Sequence, residues 1–440
     1  MNRGRSETSR CVKWDSGGSR AAIARNVGAM NTNMRWMSTL CACAAAALCA
    51  TAHAEPSVYD ELVADAKPIL DTRLRFESVE QDGATQTAQA ITLRGRLGIE
   101  SGKVAGTALL AEGEFIRPIV EDYNSTTNGN GVYPIVPDPR TSELNRLQLT
   151  NTSLPLTSVT VGRQRIVLDD HRFVGNVGWR QNEQTFDAMR IVNNSVPHLT
   201  LDVTYLDQVN RVFGRDSAQG RYYGDSVLAN ASYETAPGGL TAFAYRVTID
   251  PIAGVPGAVR DASQTVGVRW AGVHPLDALK LSYVASYAKQ EEAGRNPLSF
   301  DLDYYLGEIN AAYASYSLGA GVEILEGDGS KGFTTPLATL HKFQGWADKF
   351  LATPAAGVDD RYLTAGISRQ RWAGLDALSV VASYHRYAAE RGSMRYGSEA
   401  DLQAQAKWRR LTGILKYANY QADRLLTDTT KWWLQIEYVW

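Results

Sequence analysis

The feature that most constrains this chain is the sorting of its connections. Long connectors (117–142, 166–183, 209–222, 251–262, 290–300 and 328–359) alternate with tight ones, "SGK", "TSLPL", "SVP", "APGG", "HPLD", "WAGLD" and "WRR". Strands that shuttle between a side with short turns and a side with long loops produce this order. A β-sandwich or a propeller has no reason to sort its loops this way. With both termini on the short-turn side, the number of strands must be even.

The segments between the connectors have period two. In "AITLRGRLGIE" (90–100), Ile91, Leu93, Leu97 and Ile99 share one face, and Thr92, Arg94, Arg96 and Glu100 the other. "LDTRLRFE" (70–77), "LTLDVTYL" (199–206), "LTAFAYRVTI" (240–249) and "SEADLQAQAKW" (398–408) alternate in the same way. Helix fits poorly, because apolar residues do not recur at i, i+3 and i+4. We count about 18 strands, from 68–78 to 429–440, an even number. The fold expected is all-β: a transmembrane antiparallel up-and-down barrel with short periplasmic turns and long extracellular loops.

Composition does not oppose this. Mean hydropathy is −0.26, but a barrel hides its apolar surface in every second residue. The 21 Tyr residues include many near strand ends (Tyr205, Tyr233, Tyr283, Tyr287, Tyr313, Tyr384 and Tyr417), as interfacial aromatic belts would require. The tail "TKWWLQIEYVW" puts Trp432, Leu434, Ile436, Tyr438 and Trp440 on one face and Lys431, Trp433, Gln435, Glu437 and Val439 on the other. It is expected to pair with 68–78 and close the wall.

The first 54 residues stand apart. All four cysteines (Cys11, Cys41, Cys43 and Cys49) lie there. "MRWMSTLCACAAAALCATAHA" joins Arg35 to a short apolar run and Ala52-His53-Ala54, a secretory signal with an A-x-A cleavage site. The domains expected are therefore 1–54, an N-terminal extension and signal peptide, and 55–440, an outer-membrane barrel in a Gram-negative envelope. Translation starting at Met30, Met34 or Met37 is an alternative to Met1. Overall, 45 Lys and Arg stand against 47 Asp and Glu. This is not the balance of a nucleic-acid binder.

Period-two parity assigns charges to the lumen. Arg73, Arg75, Arg94, Arg96, Arg146, Arg246, Arg269 and Lys416 are expected to line the pore and bind anions, because a guanidinium fork suits carboxylates. The same parity turns Asp71, Glu77, Glu112, Glu114, Asp202, Glu308, Glu399 and Asp401 inward. Two readings follow: a net anion pathway, or cross-strand ion pairs that stiffen the wall. The long 166–183 connector, with Asp169, Asp170, Arg172 and Arg180, is expected to fold inward as a constriction; packing outside as a lid is the alternative. Residues 337–351 carry helix-like apolar spacing, which predicts a short amphipathic helix at the mouth.

Beyond residue 54 the histidines are His171, His198, His274, His341 and His385, without zinc-type spacing, a nucleophile elbow or a phosphate loop. No enzyme, cofactor or metal is expected, although the Asp pairs at 169–170 and 359–360 are of a type that can hold calcium.

Two loops resemble a known family. "GRQRIVLDDHRFVGNVGWRQNEQTFDAMR" (162–190) and "TPLATLHKFQGWADKFLATPAAGVDD" (335–360) are similar to stretches of the alginate export family of outer-membrane barrels. The likeness extends over essentially all of 65–440. It implies an 18-stranded barrel and passive diffusion of an anionic solute, alginate-like polyuronate or another acidic saccharide. A general or small organic-anion porin, and more remotely a plugged barrel enzyme, are the alternatives. It also implies two partners, outer-membrane lipid and the barrel assembly machinery, the latter through the terminal aromatic Trp440.

Overall fold

A computed structural model describes residues 56–440; the leader and its cysteines lie outside the described residues. After one short helix, α1 (Pro56–Ala64), the chain forms 18 strands. They are β1 (Lys67–Gln81), β2 (Ala88–Glu100), β3 (Thr107–Asp122), β4 (Thr141–Asn151), β5 (Thr157–Gln164), β6 (Thr185–Val196), β7 (Leu199–Asn210), β8 (Arg221–Thr235), β9 (Gly238–Val247), β10 (Ser263–Leu276), β11 (Leu279–Glu292), β12 (Asp301–Tyr313), β13 (Tyr316–Leu325), β14 (Val358–Trp372), β15 (Leu375–Ala388), β16 (Arg395–Trp408), β17 (Leu411–Ala422) and β18 (Thr429–Val439).

Every strand pairs antiparallel with its sequence neighbours, and β1 pairs with β18, so the unit Glu61–Trp440 is a closed barrel with no free edge. Closure is what lets a strand wall satisfy all its backbone donors inside lipid. No helix among the described residues is long and apolar enough to cross a membrane.

The alternation decides which side each residue faces. On β2, Leu93 and Leu97 are exposed on the outer wall, while Thr92, Arg94 and Arg96 are buried inside. Exposed apolar residues recur on nearly every strand; Leu318 is 65% exposed and Leu97 56%. Such surface in water would mark a docking or aggregation patch. Spread around a closed wall, it is a lipid-facing belt. Exposed aromatics flank it, with Tyr205, Tyr287, Tyr305, Tyr384 and Trp432 toward the long loops and Tyr233, Tyr313, Tyr316, Trp372 and Trp408 toward the short turns.

The six short turns from β6–β7 to β16–β17 are two-residue hairpins. Ala373 and Gly374 link β14 to β15 with φ of 54° and 82°, the paired left-handed conformation that matches strand twist.

The seam is as the tail predicts. Leu74 pairs with Ile436 and Phe76 with Leu434, and the Trp440 N–H donates to the Leu70 carbonyl at 2.9 Å. Arg410 lies 3.9 Å over the Trp440 ring. Trp440→Ser removes the ring that covers the last turn of the seam. The yield of heat-modifiable folded barrel should fall severalfold, while channels that do form conduct normally; equal yields would remove Trp440 from assembly.

One strand departs from parity. On β9 the large residues Phe243, Tyr245 and Val247 are buried inside, and Ala242, Ala244 and Arg246 face outward. Arg246 therefore does not line the pore. The reason is that the lumen is not empty here: Phe173 packs on Phe243 with ring centroids 4.9 Å apart and on Tyr304 at 5.3 Å. Where a loop fills the interior, the inner face is apolar and the larger residue no longer marks the lipid side.

Candidate pore constriction

The β5–β6 loop (165–184) folds into the barrel and is fastened to its wall at two places six strands apart. Toward β1, Arg180 Nη1 donates to Glu77 at 3.0 Å. Arg73 Nη1 donates to three successive carbonyls, those of Gly178, Trp179 and Arg180, at 3.1, 3.1 and 3.2 Å. Toward β13, Arg172 Nε donates to Glu323 at 2.5 Å and Nη1 to the Thr335 hydroxyl at 3.0 Å. Arg172 and Arg180 are both buried, so each ion pair is shielded from water.

The β13–β14 loop (326–357) descends beside it. Val174 and Leu337 form a parallel bridge, and Gln184 Nε2 donates to the Leu337 carbonyl at 2.9 Å. The amphipathic helix expected over 337–351 is not formed; a single 3₁₀ turn, Leu340–Lys342, is all that is helical. Gln344, Gly345 and Asp348 have φ of 52°, 77° and 61°, and left-handed residues at this density cannot continue a helix. The apolar residues instead anchor singly, as where Phe350 packs 4.5 Å from Tyr387. Glu399 on β16 accepts the Ala347 N–H at 2.6 Å.

Most of the strand arginines expected in the lumen are there, but they are paired. Arg94 meets Asp71 at 2.5 Å and Glu437 at 2.9 Å. Arg73 also meets Glu437 at 2.9 Å, and Arg96 bonds Glu114. Arg146 meets Glu112 at 2.7 Å, and Arg269 lies 3.5 Å from Asp170. Arg75 lies 3.7 Å from Asp138 and 4.2 Å over the Trp179 ring. Asp169 accepts from Asn230 at 2.9 Å. Burying an ion is costly unless it is partnered, and here the partners are protein carboxylates. Among the described residues no three His, Asp or Glu side chains converge as a metal site.

Lys416 differs. It is buried, has no carboxylate within salt-bridge distance among the described residues, and donates from Nζ to His341 Nε2 at 2.8 Å. Its Nζ sits 3.8 Å from the Trp346 ring centre and 4.2 Å from that of Trp179, the placement in which an aromatic face attracts a cation. The ring of His341 stacks on Trp179 at 4.7 Å, and its Nδ1 lies 2.6 Å from Asp348. The ammonium form of Lys416 can only donate, and opposite it Nε2 accepts and the proton sits on Nδ1, facing the carboxylate. Asp348 also receives Arg180 at 3.0 Å and Lys431 at 2.9 Å.

These groups border a cavity of about 320 Å³ lined by His171, Asn176, Gly178, Trp179, Thr339, His341, Lys342, Trp346, Gln403 and Lys416. Its lining contains two lysines, two histidines, two tryptophans and no carboxylate. Parity found Lys416. It missed Trp179, His341, Lys342 and Trp346, because they lie on loops, where parity says nothing; their only sequence signal is their place in the "GWR" and "TPLATLHKFQGWADKF" stretches.

The loop contacts are pH-dependent. Burial holds the His341 imidazole well below its ordinary range, with Asp348 opposing and Lys416 adding to the shift. Burial opposes ionisation of Asp348, but His341, Lys431 and Arg180 together keep it well below the usual carboxylate range. A docked loop thus refuses a proton that a freed loop accepts. Above about pH 6.5 both states carry neutral imidazole. Below it docking weakens by up to about 1.4 kcal/mol per pH unit. Asp348 adds to this only below about pH 4. Conductance should therefore rise between pH 7 and pH 5, and His341→Gln should remove that step. A flat wild-type profile would show that His341 does not hold the loop.

The chain's relatives agree with this architecture. Residues 143–296 match the family model described as alginate export. That stretch contains the first of the two loops that resemble the family; the second lies beyond it. No curated protein matches the sequence. Among solved structures, Pseudomonas aeruginosa OpdO superposes with a TM-score of 0.66 at 16% identity, covering 87% of this chain and 99% of that one. P. aeruginosa OpdL gives 0.62 at 17%, covering 86% and 99%. P. aeruginosa OpdK, determined with vanillate, gives 0.62 at 14%, covering 86% and 99%. With its closed wall, apolar belt and inward loops, the chain is an 18-stranded β-barrel of the outer-membrane porin type that carries the alginate export family signature over residues 143–296.

Proposed function

We propose that this protein is an outer-membrane channel for passive diffusion of small organic anions. The observation that carries the reading is the cavity beside the constriction, where Lys342 and Lys416 line a space without a carboxylate. The paired arginines elsewhere supply little net charge. A lumen in which cations outnumber anions at its narrow point lowers the barrier for anions and raises it for cations. At about 320 Å³ the space lies at the small end of ligand sites. The apolar belt and the leader support placement in the outer membrane. The vanillate found in the OpdK structure is a small carboxylate of the size this reading requires.

Reversal potentials across planar bilayers under a salt gradient test the proposal. Anion preference is expected, with current blocked by millimolar aromatic or aliphatic carboxylates; cation preference would overturn it.

The family match favours one second reading, passage of an acidic saccharide such as a polyuronate. The solute would then have to displace Asp71, Glu114 and Glu437 from the buried Arg94–Arg96 cluster. The double substitution Arg94→Ala/Arg96→Ala would weaken block of the current by oligouronates. Unchanged block would remove these two residues from the path.

A further inference from the structure

The outer wall holds two cations that face each other. Arg361 on β14 and Arg386 on β15 are direct cross-strand neighbours, and both are exposed. The next pair along the same face is Leu363 with Tyr384, both part of the exposed apolar wall. The two arginines thus stand at the boundary where the belt ends, on the long-loop side. Arg395, at the start of β16, adds a third exposed guanidinium.

Protein acids compensate this group only partly. Asp359 bonds Arg361 at 2.9 Å, and Asp423 lies 3.3 Å from Arg395. Arg386 has no side-chain hydrogen bond and no carboxylate within salt-bridge distance among the described residues. Like charges directly opposite on neighbouring strands destabilise a sheet, so wall folding alone gives no reason for the pair. An anion between them would. Guanidinium forks bind phosphate oxygens in pairs, and long side chains at the edge of an apolar belt reach outward to headgroup level.

We propose that Arg361, Arg386 and Arg395 form a clamp for the phosphate groups of an outer-leaflet lipid, a phosphorylated glycolipid seated with its acyl chains on the Leu363–Tyr384 wall. The clamp rests on the outer-membrane placement argued above but not on the channel's ion preference.

Native mass spectrometry of the full folded chain in detergent tests it, with diphosphorylated lipid A and its dephosphorylated form as probes. Wild type should retain the diphosphorylated lipid roughly tenfold better than Arg361→Ala/Arg386→Ala, and the dephosphorylated lipid no better than the variant does. Arg386→Glu alone should lose at least as much, because it turns attraction into repulsion. Both variants point away from the lumen and should conduct as wild type, so a failed clamp is distinguishable from a failed channel reading. Equal retention by wild type and both variants would overturn the proposal. So would displacement of the lipid by millimolar inorganic phosphate, which would identify a site for free anions only.

Discussion

Replacing residues 168–182 by a short Gly-Ser linker should raise single-channel conductance severalfold and collapse ion preference toward that of bulk solution. The loop crosses the lumen between Glu77 on β1 and Glu323 on β13. A barrel of this strand number is wide enough to hold an aqueous channel once nothing fills it. The wall itself should survive, because its ladder is complete without the loop. A milder form is Arg180→Ala, which strands Glu77 beside Asp138 and Asp348. Breaking a buried pair from one side costs about 3–5 kcal/mol, enough to loosen that end of the loop, still held by Arg73 through its carbonyls, and produce more frequent transitions to a larger open state. A shortened loop with wild-type conductance would show that the current does not pass where the loop lies.

The second large effect is expected at Lys416. Lys416→Glu places a carboxylate between Trp179 and Trp346 and beside the nitrogen of His341 that now accepts a hydrogen bond. The reversal potential should change sign, or at least fall to near zero, and carboxylate block should weaken about tenfold or more, a change of about 1.4 kcal/mol or above. Lys416→Met separates charge from volume. It keeps an unbranched side chain one atom shorter between the rings, so selectivity should fall while unitary conductance stays within about a factor of two. If both variants keep the wild-type reversal potential, Lys342 and not Lys416 sets the field of the cavity.

The wall was readable because its physics is local. Alternation places Arg73, Arg94 and Arg96 inside and Leu93 and Leu97 outside without knowledge of any partner strand. The sorting of connectors then determines that the count is even. Arg246 marks where this stops: its strand alternates, but which face is inner depends on Phe173, more than sixty residues earlier in the chain. The constriction was half readable. The length and charge of 166–183 mark it as a loop that folds inward. What the lumen's charges do was not legible, because Arg94 and Arg96 are paired across strands with Asp71, Glu114 and Glu437, and only the register tells whether a guanidinium is free. The expected helix over 337–351 fails for a similar reason: its apolar residues seat in separate sites on the wall and do not form one face.

The grip of Arg73 on the carbonyls of residues 178–180 carries a consequence for how such a channel can diversify. Carbonyl oxygens belong to every amino acid, so the anchorage does not depend on which side chains stand at 178 and 179. Substitutions there can repaint the eyelet, changing its size, polarity or charge, while the strap stays buckled to the same post. A lineage of barrels can in this way try new solutes one residue at a time without first losing the gate.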